Sequence, residues 1–346
     1  MISFKKYYRI WLPILSIFLF IALAEMVCRG LNLTEKLDAD FKFYIHNIDN
    51  DLELELMQED PLLMWRPKPN YPGLNSEGFR DKEYKREKEK NVFRILVLGD
   101  SSTMGWGISD PSKLYHALLE DKLNQDLKYQ DIRFEVINGG ITGYTSYQGL
   151  NLYRFVGATY HPDIVTFYFG INDPVHRFYM SDKDILKRNI ELSNLSGLYF
   201  FLSKLHSYEV LRKGIGELLN QGNNPLINIP RVSREDFKAN ILEMNTLCQD
   251  NHALLILISP PFSKDESKKW EKAEQVEEYK KILEDTAREN NIHLVKIEEL
   301  TDQKSSSMNY FLVAAHPNEA GHRIIMEKLL SYLVSNKLLP VNHLMK

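Results

Sequence analysis

Five short apolar runs, each followed by a helix-length pattern, constrain this chain more than any other feature. The runs are Phe93–Leu98, Ile132–Ile137, Ile164–Phe169, Ala253–Ile258 and a weaker one at Ile292–Ile297. Helical periodicity covers residues 112–127, 146–156, 233–250, 271–289 and 318–333. Ser233 followed by Asp236 resembles a capping box and supports the third helix start. Apolar strands alternating with helices imply a parallel sheet covered on both faces. The predicted fold class is therefore α/β. In such sheets ligands bind beyond the carboxyl ends of the strands, so the residues just after each strand carry the interest.

The chain has 346 residues, 44% of them hydrophobic and 26% charged. That balance supports a buried core without disulfides or metals. The net charge of −4 argues against an electrostatic grip on nucleic acid. Cys28 and Cys248 lack metal-ligand spacing and read as small buried hydrophobes, although a mutual disulfide is possible.

Lys5, Lys6 and Arg9 precede an uncharged apolar run from Ile10 to Ala24. Basic residues before such a run stay cytoplasmic, which places the rest of the chain outside. The run spans about 22 Å as a helix, short of a bilayer core of about 30 Å. Residues 1–29 are thus expected to be a membrane anchor continuing through Glu25, or a signal cleaved after Ala24 with the product secreted.

Residues 30–91 are expected to be an extension and linker, and 92–338 the main domain. Arg66 to Gly73 is proline-rich and reads as irregular. The charge run 81–90 reads as a solvated linker. Residues 174–231 are too long for a simple connection. With Tyr199-Phe200-Phe201 and an apolar pattern over 202–219, they are expected to form a helical cap shaping the substrate pocket.

The chemistry lies at the strand ends. Gly99-Asp100-Ser101-Ser102-Thr103 follows the first strand, Asn138 to Gly143 the second, and Gly170-Ile171-Asn172-Asp173 the third; His316-Pro317-Asn318 comes after the fifth. Acyl transfer needs these residue types. A serine hydroxyl requires a base to take its proton, and histidine is poised near neutral pH. The oxyanion requires donors, which an asparagine amide and backbone N–H groups supply. The spacing excludes a dinucleotide fingerprint and a P-loop. Thr103 stands where an α/β-hydrolase elbow needs glycine. His161 and His176 read as structural, with His176 close enough to the third block to line a pocket, and His322, on the last helix, reads as solvated or packing.

Together the four blocks resemble those of the SGNH (GDSL-like) hydrolases, over about 93–333. The resemblance implies a three-layer α/β/α sandwich with a five-stranded, flavodoxin-like parallel sheet. It implies Ser101 as nucleophile and His316 as base, with an oxyanion hole of the Ser101 N–H, the Gly143 N–H and the Asn172 side chain. No metal or cofactor is implied. The segment Asn75 to Arg80 looks like the lead-in of membrane-anchored members. One departure stands out: the family's last block reads Asp-x-x-His, and the position three before His316 is Val313. Either another acceptor serves His316, Asp302 being the nearest carboxylate in sequence, or the site works as a dyad.

The expected function is ester hydrolysis through an acyl-serine, on an acylated glycan or lipid outside the cytoplasm. Two alternatives remain at this stage: an acyltransferase on the same fold, or a non-catalytic glycan-binding or envelope protein. Nothing in the sequence gives an oligomeric state.

Overall fold

The computed structural model describes residues 8–31, 55–126, 131–177, 181–187, 205–208, 210–211, 229–262, 273–297, 310–313 and 315–340. These fall into two units, one of residues 56–186 and 228–346, the other of residues 1–55 and 187–227.

The larger unit is built on five parallel strands: β3 (Val92–Gly99), β4 (Arg133–Gly140), β5 (Ile164–Tyr168), β8 (Leu254–Ser259) and β9 (His293–Lys296). Their spatial order is β4-β3-β5-β8-β9, while β6 (His176–Arg177) and β7 (Ile229–Pro230) pair antiparallel apart from them. This is the flavodoxin-like order, and the switch point lies between β3 and β5. Alternate strand residues serve opposite faces. Ile95, Val97, Phe134, Val136, Ile256 and Ile258 pack under α3 (Tyr115–Gln125) and α7 (Glu319–Ser335), meeting Leu119, Leu123, Ile325 and Leu329. The other face carries Leu96, Leu98, Phe167 and Leu257, all buried. It is covered by α4 (Ser146–Phe155), α5 (Arg234–Asp250) and α6 (Ala273–Glu289), with Phe167 6.2 Å from Phe237 and Phe237 5.1 Å from Tyr279 between ring centroids. The expected α/β/α layering is thus present. Capping is as expected at α5, where the Ser233 hydroxyl accepts from Asp236 N–H at 3.0 Å.

The approach of a short helix, α2 (Ser101–Met104), to the sheet is unusually close. A Cβ added at Gly140 would lie 2.3 Å from the Met104 nitrogen and 2.6 Å from the Thr103 carbonyl carbon. Backbone atoms cannot swing aside as a side chain does, so glycine is the one residue that fits.

Residues 56–91 belong to this unit and precede its sheet. A hairpin of β1 (Met57–Asp60) and β2 (Met64–Pro67) buries Trp65. Arg66 and Pro67, read from sequence as irregular, end β2; a terminal proline removes no ladder bond there. The charged run after Arg80 is tied down. Arg94, 1% exposed, donates to Glu135 and to the carbonyls of Lys85, Arg86 and Tyr160, while Lys88 pairs with Asp163. Both cysteines are free and buried.

In the smaller unit, α1 (Tyr8–Gly30) is a 23-residue helix. Its segment Trp11–Gly30 has a mean hydropathy of 2.2 and little buried surface, so it is long and apolar enough to cross a membrane. The same test is passed by a signal sequence. The Glu25 carboxylate accepts from the N–H groups of His206 and Ser207 at 3.1 and 2.9 Å. Tyr199-Phe200-Phe201 and most of 202–219 lie outside the described residues.

Gly140→Ala should destabilise the larger unit by about 1–3 kcal/mol, the usual cost of forcing a methyl group into a close-packed contact. Urea denaturation checks this, and an unchanged midpoint would show that α2 can retreat from β4.

Candidate active site

The site forms where β3, β4 and β5 end. After Gly99 the chain turns at Asp100, whose carboxylate accepts from Ser102 N–H at 2.8 Å and caps α2. This places Ser101 in the first turn, 8% exposed. Gly105, at φ +86°, ends the helix in the left-handed region that glycine enters without strain.

His316 arrives from the far end of the chain. It lies in β11 (His316–Pro317), paired antiparallel with β10 (Phe311–Val313), immediately before α7. The helix starts at Asn318, whose side chain accepts from Gly321 N–H. Ser101 Oγ lies 2.8 Å from His316 Nε2. With the imidazole proton on Nδ1, the hydroxyl donates to Nε2, the arrangement from which the ring can remove that proton. The neighbouring Ser102 hydroxyl donates to the Ala315 carbonyl at 3.0 Å, so two adjacent serines tie the first block to the last.

The second and third blocks close on the same place. Gly143, at φ +75°, follows β4 in a loop held from two sides. Arg231 donates to the Gly143 carbonyl at 2.6 Å, and Trp65 Nε1 donates to the Thr142 carbonyl at 3.2 Å. Asn172 donates to the Tyr144 carbonyl at 3.1 Å and faces the Asp100 carboxylate at 3.4 Å. Its turn is shaped by Asp173, fully buried, which accepts from Ser146 N–H, Ser146 Oγ and Gly170 N–H. Among the described residues, the N–H groups of Ser101 and Gly143 have no hydrogen-bond partner.

Burial governs the electrostatics. It holds His316 down to about 4, so the imidazole is neutral at pH 7. It pushes the Asp100 and Asp173 carboxyls up to about 6 and about 7. His316 Nδ1 is buried with no partner among the described residues. Val313 is 48% exposed and offers no acceptor. Asp302 lies outside the described residues. His322 is not solvated, one of the two readings open for it: it is fully buried against Tyr115, whose N–H donates to its Nδ1, because α7 turns this face onto α3.

Ser101, His316, Asn172 and the loop of Gly143 thus converge. Sequence reading missed their surroundings: Trp106, tilted against the His316 ring; Arg80, whose guanidinium donates to the Gly105 carbonyl at 2.6 Å; and Arg231, paired with Asp182 at 2.9 Å in a buried contact. The pattern Gly105-Trp106-Gly107, directly after the serine block, was the available signal for the first. Arg231 lies 88 residues from the glycine it holds, and no local signal marks it.

A family model described as the GDSL-like lipase/acylhydrolase family matches residues 97–324. No curated protein matches the chain. Among solved structures, it is similar to a putative lipolytic protein of the G-D-S-L family from Desulfitobacterium hafniense DCB-2 (17% identity, 69% of this chain and 99% of that one, TM-score 0.45). It is also similar to an α/β-hydrolase enzyme from the metagenome of Lake Arreo, Spain (18%, 69% and 94%, 0.47). A third is an acetylxylan esterase from Geobacillus stearothermophilus (18%, 71% and 96%, 0.45). The family match takes in the serine, glycine, asparagine and histidine blocks alike: the chain belongs to the GDSL-like lipase/acylhydrolase family and is a serine ester hydrolase.

Proposed function

We propose that Ser101 is the nucleophile and His316 its general base, in an enzyme that removes acyl groups from a glycan or lipid outside the cytoplasm. The observation that carries this reading is the 2.8 Å contact between Ser101 Oγ and His316 Nε2. In this mechanism His316 takes the hydroxyl proton as Ser101 Oγ attacks the ester carbonyl. The tetrahedral oxyanion is met by the N–H groups of Ser101 and Gly143 and by the Asn172 amide. His316 then protonates the departing alcohol, leaving an acyl-serine, and water attacks that ester by the same route in reverse. The Ser101 and Gly143 N–H groups, without a hydrogen-bond partner among the described residues, support the oxyanion assignment.

The extracytoplasmic setting and the substrate class rest on α1, read as an uncleaved anchor with Lys5, Lys6 and Arg9 inside. At about 1.5 Å per residue its helix is long enough for a hydrocarbon core of about 30 Å. Residues 174–231 are proposed to shape the acyl or sugar pocket. A screen of the full chain in detergent against short-chain aryl esters and acetylated glycans tests the substrate class.

Ser101→Ala should abolish fluorophosphonate labelling and ester hydrolysis in a folded protein; retained labelling would move the nucleophile to Ser102. Asn172→Ala should lower kcat by roughly 10²–10³ with little change in KM, as loss of one oxyanion donor does. A change confined to KM would make Asn172 a ground-state binding residue. A reporter active only in the cytoplasm, fused after Lys346, should be silent, and a strong signal would reverse the topology.

The base acts in its neutral form, and burial lowers the His316 pKa to about 4. The acid limb of kcat/KM should therefore lie well below 6.5, the ordinary imidazole value. The nearby Asp100 carboxyl, at about 6, changes charge earlier, so the profile is measured for wild type and Asp100→Asn. A limb centred near 6.5 in both contradicts the assignment of a desolvated His316 as base.

A further inference from the structure

An imidazole that serves as base must be held in one orientation, and the usual device is a carboxylate on Nδ1. Here Nδ1 has no partner among the described residues, and valine occupies the family's carboxylate position. One side chain nevertheless lies against the ring. The Trp106 and His316 centroids are 4.5 Å apart, with an interplanar angle of 32°.

The turn that carries Trp106 is itself held firmly. Gly105 and Trp106 N–H both donate to the Ser101 carbonyl, at 3.0 and 2.9 Å. The indole is thus fixed relative to the nucleophile by the nucleophile's own backbone. Gly105 and Gly107 sit at φ +86° and +74°. A Cβ on Gly107 would lie 2.6 Å from a methyl of Leu312, so the β10 side chain closes over the turn. From the other side Arg80 donates to the carbonyls of Met104, Gly105, Ile108 and Ser109. Arg80 ends the lead-in segment, which Asn75 folds by accepting from Glu77 and Phe79 N–H at 3.0 and 2.9 Å. A planar fork on several carbonyls immobilises a loop better than a single ammonium does.

We propose that Trp106 is a positioning residue for His316, its indole face holding the imidazole against Ser101, with Arg80 fixing the turn that presents it. This rests on the Ser101–His316 reading above. The ring contact sets the plane of the imidazole, and the Ser101 hydroxyl bond sets its rotation within that plane. As the ring takes the serine proton it becomes cationic, and the electron-rich indole face attracts that charge. The interaction is stronger with the imidazolium than with the neutral ring, so it favours the transition state over the ground state.

The test is steady-state hydrolysis of one aryl ester by the full chain in detergent, with wild type, Trp106→Leu and Trp106→Phe. Trp106→Leu should lower kcat about 10- to 100-fold, the range expected when a reacting group is misplaced. Its KM should stay within about twofold of wild type, because the residue acts through the base rather than on bound ester. Trp106→Phe, which keeps an aromatic face, should restore most of the loss. If Trp106→Leu fails to fold, as judged by its unfolding temperature, Trp106→Met is read by the same criteria. The proposal falls if the aliphatic variant keeps wild-type kcat, if phenylalanine is as poor as leucine, or if KM alone changes. A wild type that neither reacts with fluorophosphonate nor turns over would instead remove the Ser101–His316 reading, and this inference with it. A reactive wild type with indifferent Trp106 variants removes the inference alone.

Discussion

At Gly140 the backbone of β4 lies so close to α2 that a methyl group would meet the Met104 nitrogen at 2.3 Å. That contact sets the height of the nucleophile turn on the sheet, and the rest of the site is built from it. Asp100 caps α2, Ser102 reaches the Ala315 carbonyl, and His316 lands on Ser101. The strand order completes the arrangement. β3 and β5 are neighbours at the switch point, so the loops carrying Ser101 and Asn172 emerge side by side.

The same dense packing governs the charges. Below pH 6.5 the unfolded chain takes up protons that His316 and His322, held at about 4 and about 3, do not accept. By linkage these two residues cost stability as pH falls from 6.5 towards 4. Asp100 and Asp173 act in the opposite direction. Unfolded aspartates ionise near 3.9, but these two hold their protons to about 6 and about 7, so they cost stability as pH rises through that window. The Asp173 oxygens accept three hydrogen bonds that shape the Asn172 turn and join it to α4, which offsets part of that cost. Among the described residues His316 Nδ1 has no partner, and the ring contact that Trp106 makes is the more consequential for it.

The segment before the first sheet strand supplies much of this order. Trp65 lies under the Gly143 loop, Arg80 grips the turn after α2, and Asp81 accepts from Asn138 N–H at the end of β4. Arg231, leaving the insertion, reaches the same loop while paired with buried Asp182. The loop is therefore braced by residues far from it in sequence, and each brace replaces a hydrogen bond that the loop backbone cannot make to itself.

The sheet, its helices and the four blocks were legible in the sequence because they are local. An apolar run declares a strand, a 3.6-residue period declares a helix, and glycine, serine and asparagine at a strand end declare a turn with chemistry. β3 runs one residue beyond each end of the expected 93–98, and β5 stops one residue short of the expected 169. Legible too was the departure at Val313, since a missing carboxylate shows as a letter. What Val313 leaves behind was not legible. Whether His316 finds another partner depends on which side chains surround it once residues 215 positions apart are brought together. The segment Asn75 to Arg80 was legible only as a resemblance to the lead-in of membrane-anchored members, without a role, because a guanidinium binding four carbonyls across a gap of 24 to 29 residues leaves no periodic trace. Trp106 drew no reading from the sequence, and only the tertiary structure laid it against the imidazole. Periodicity and turn chemistry follow from backbone geometry that repeats along the chain. The partners of a buried side chain follow from packing in three dimensions, which does not.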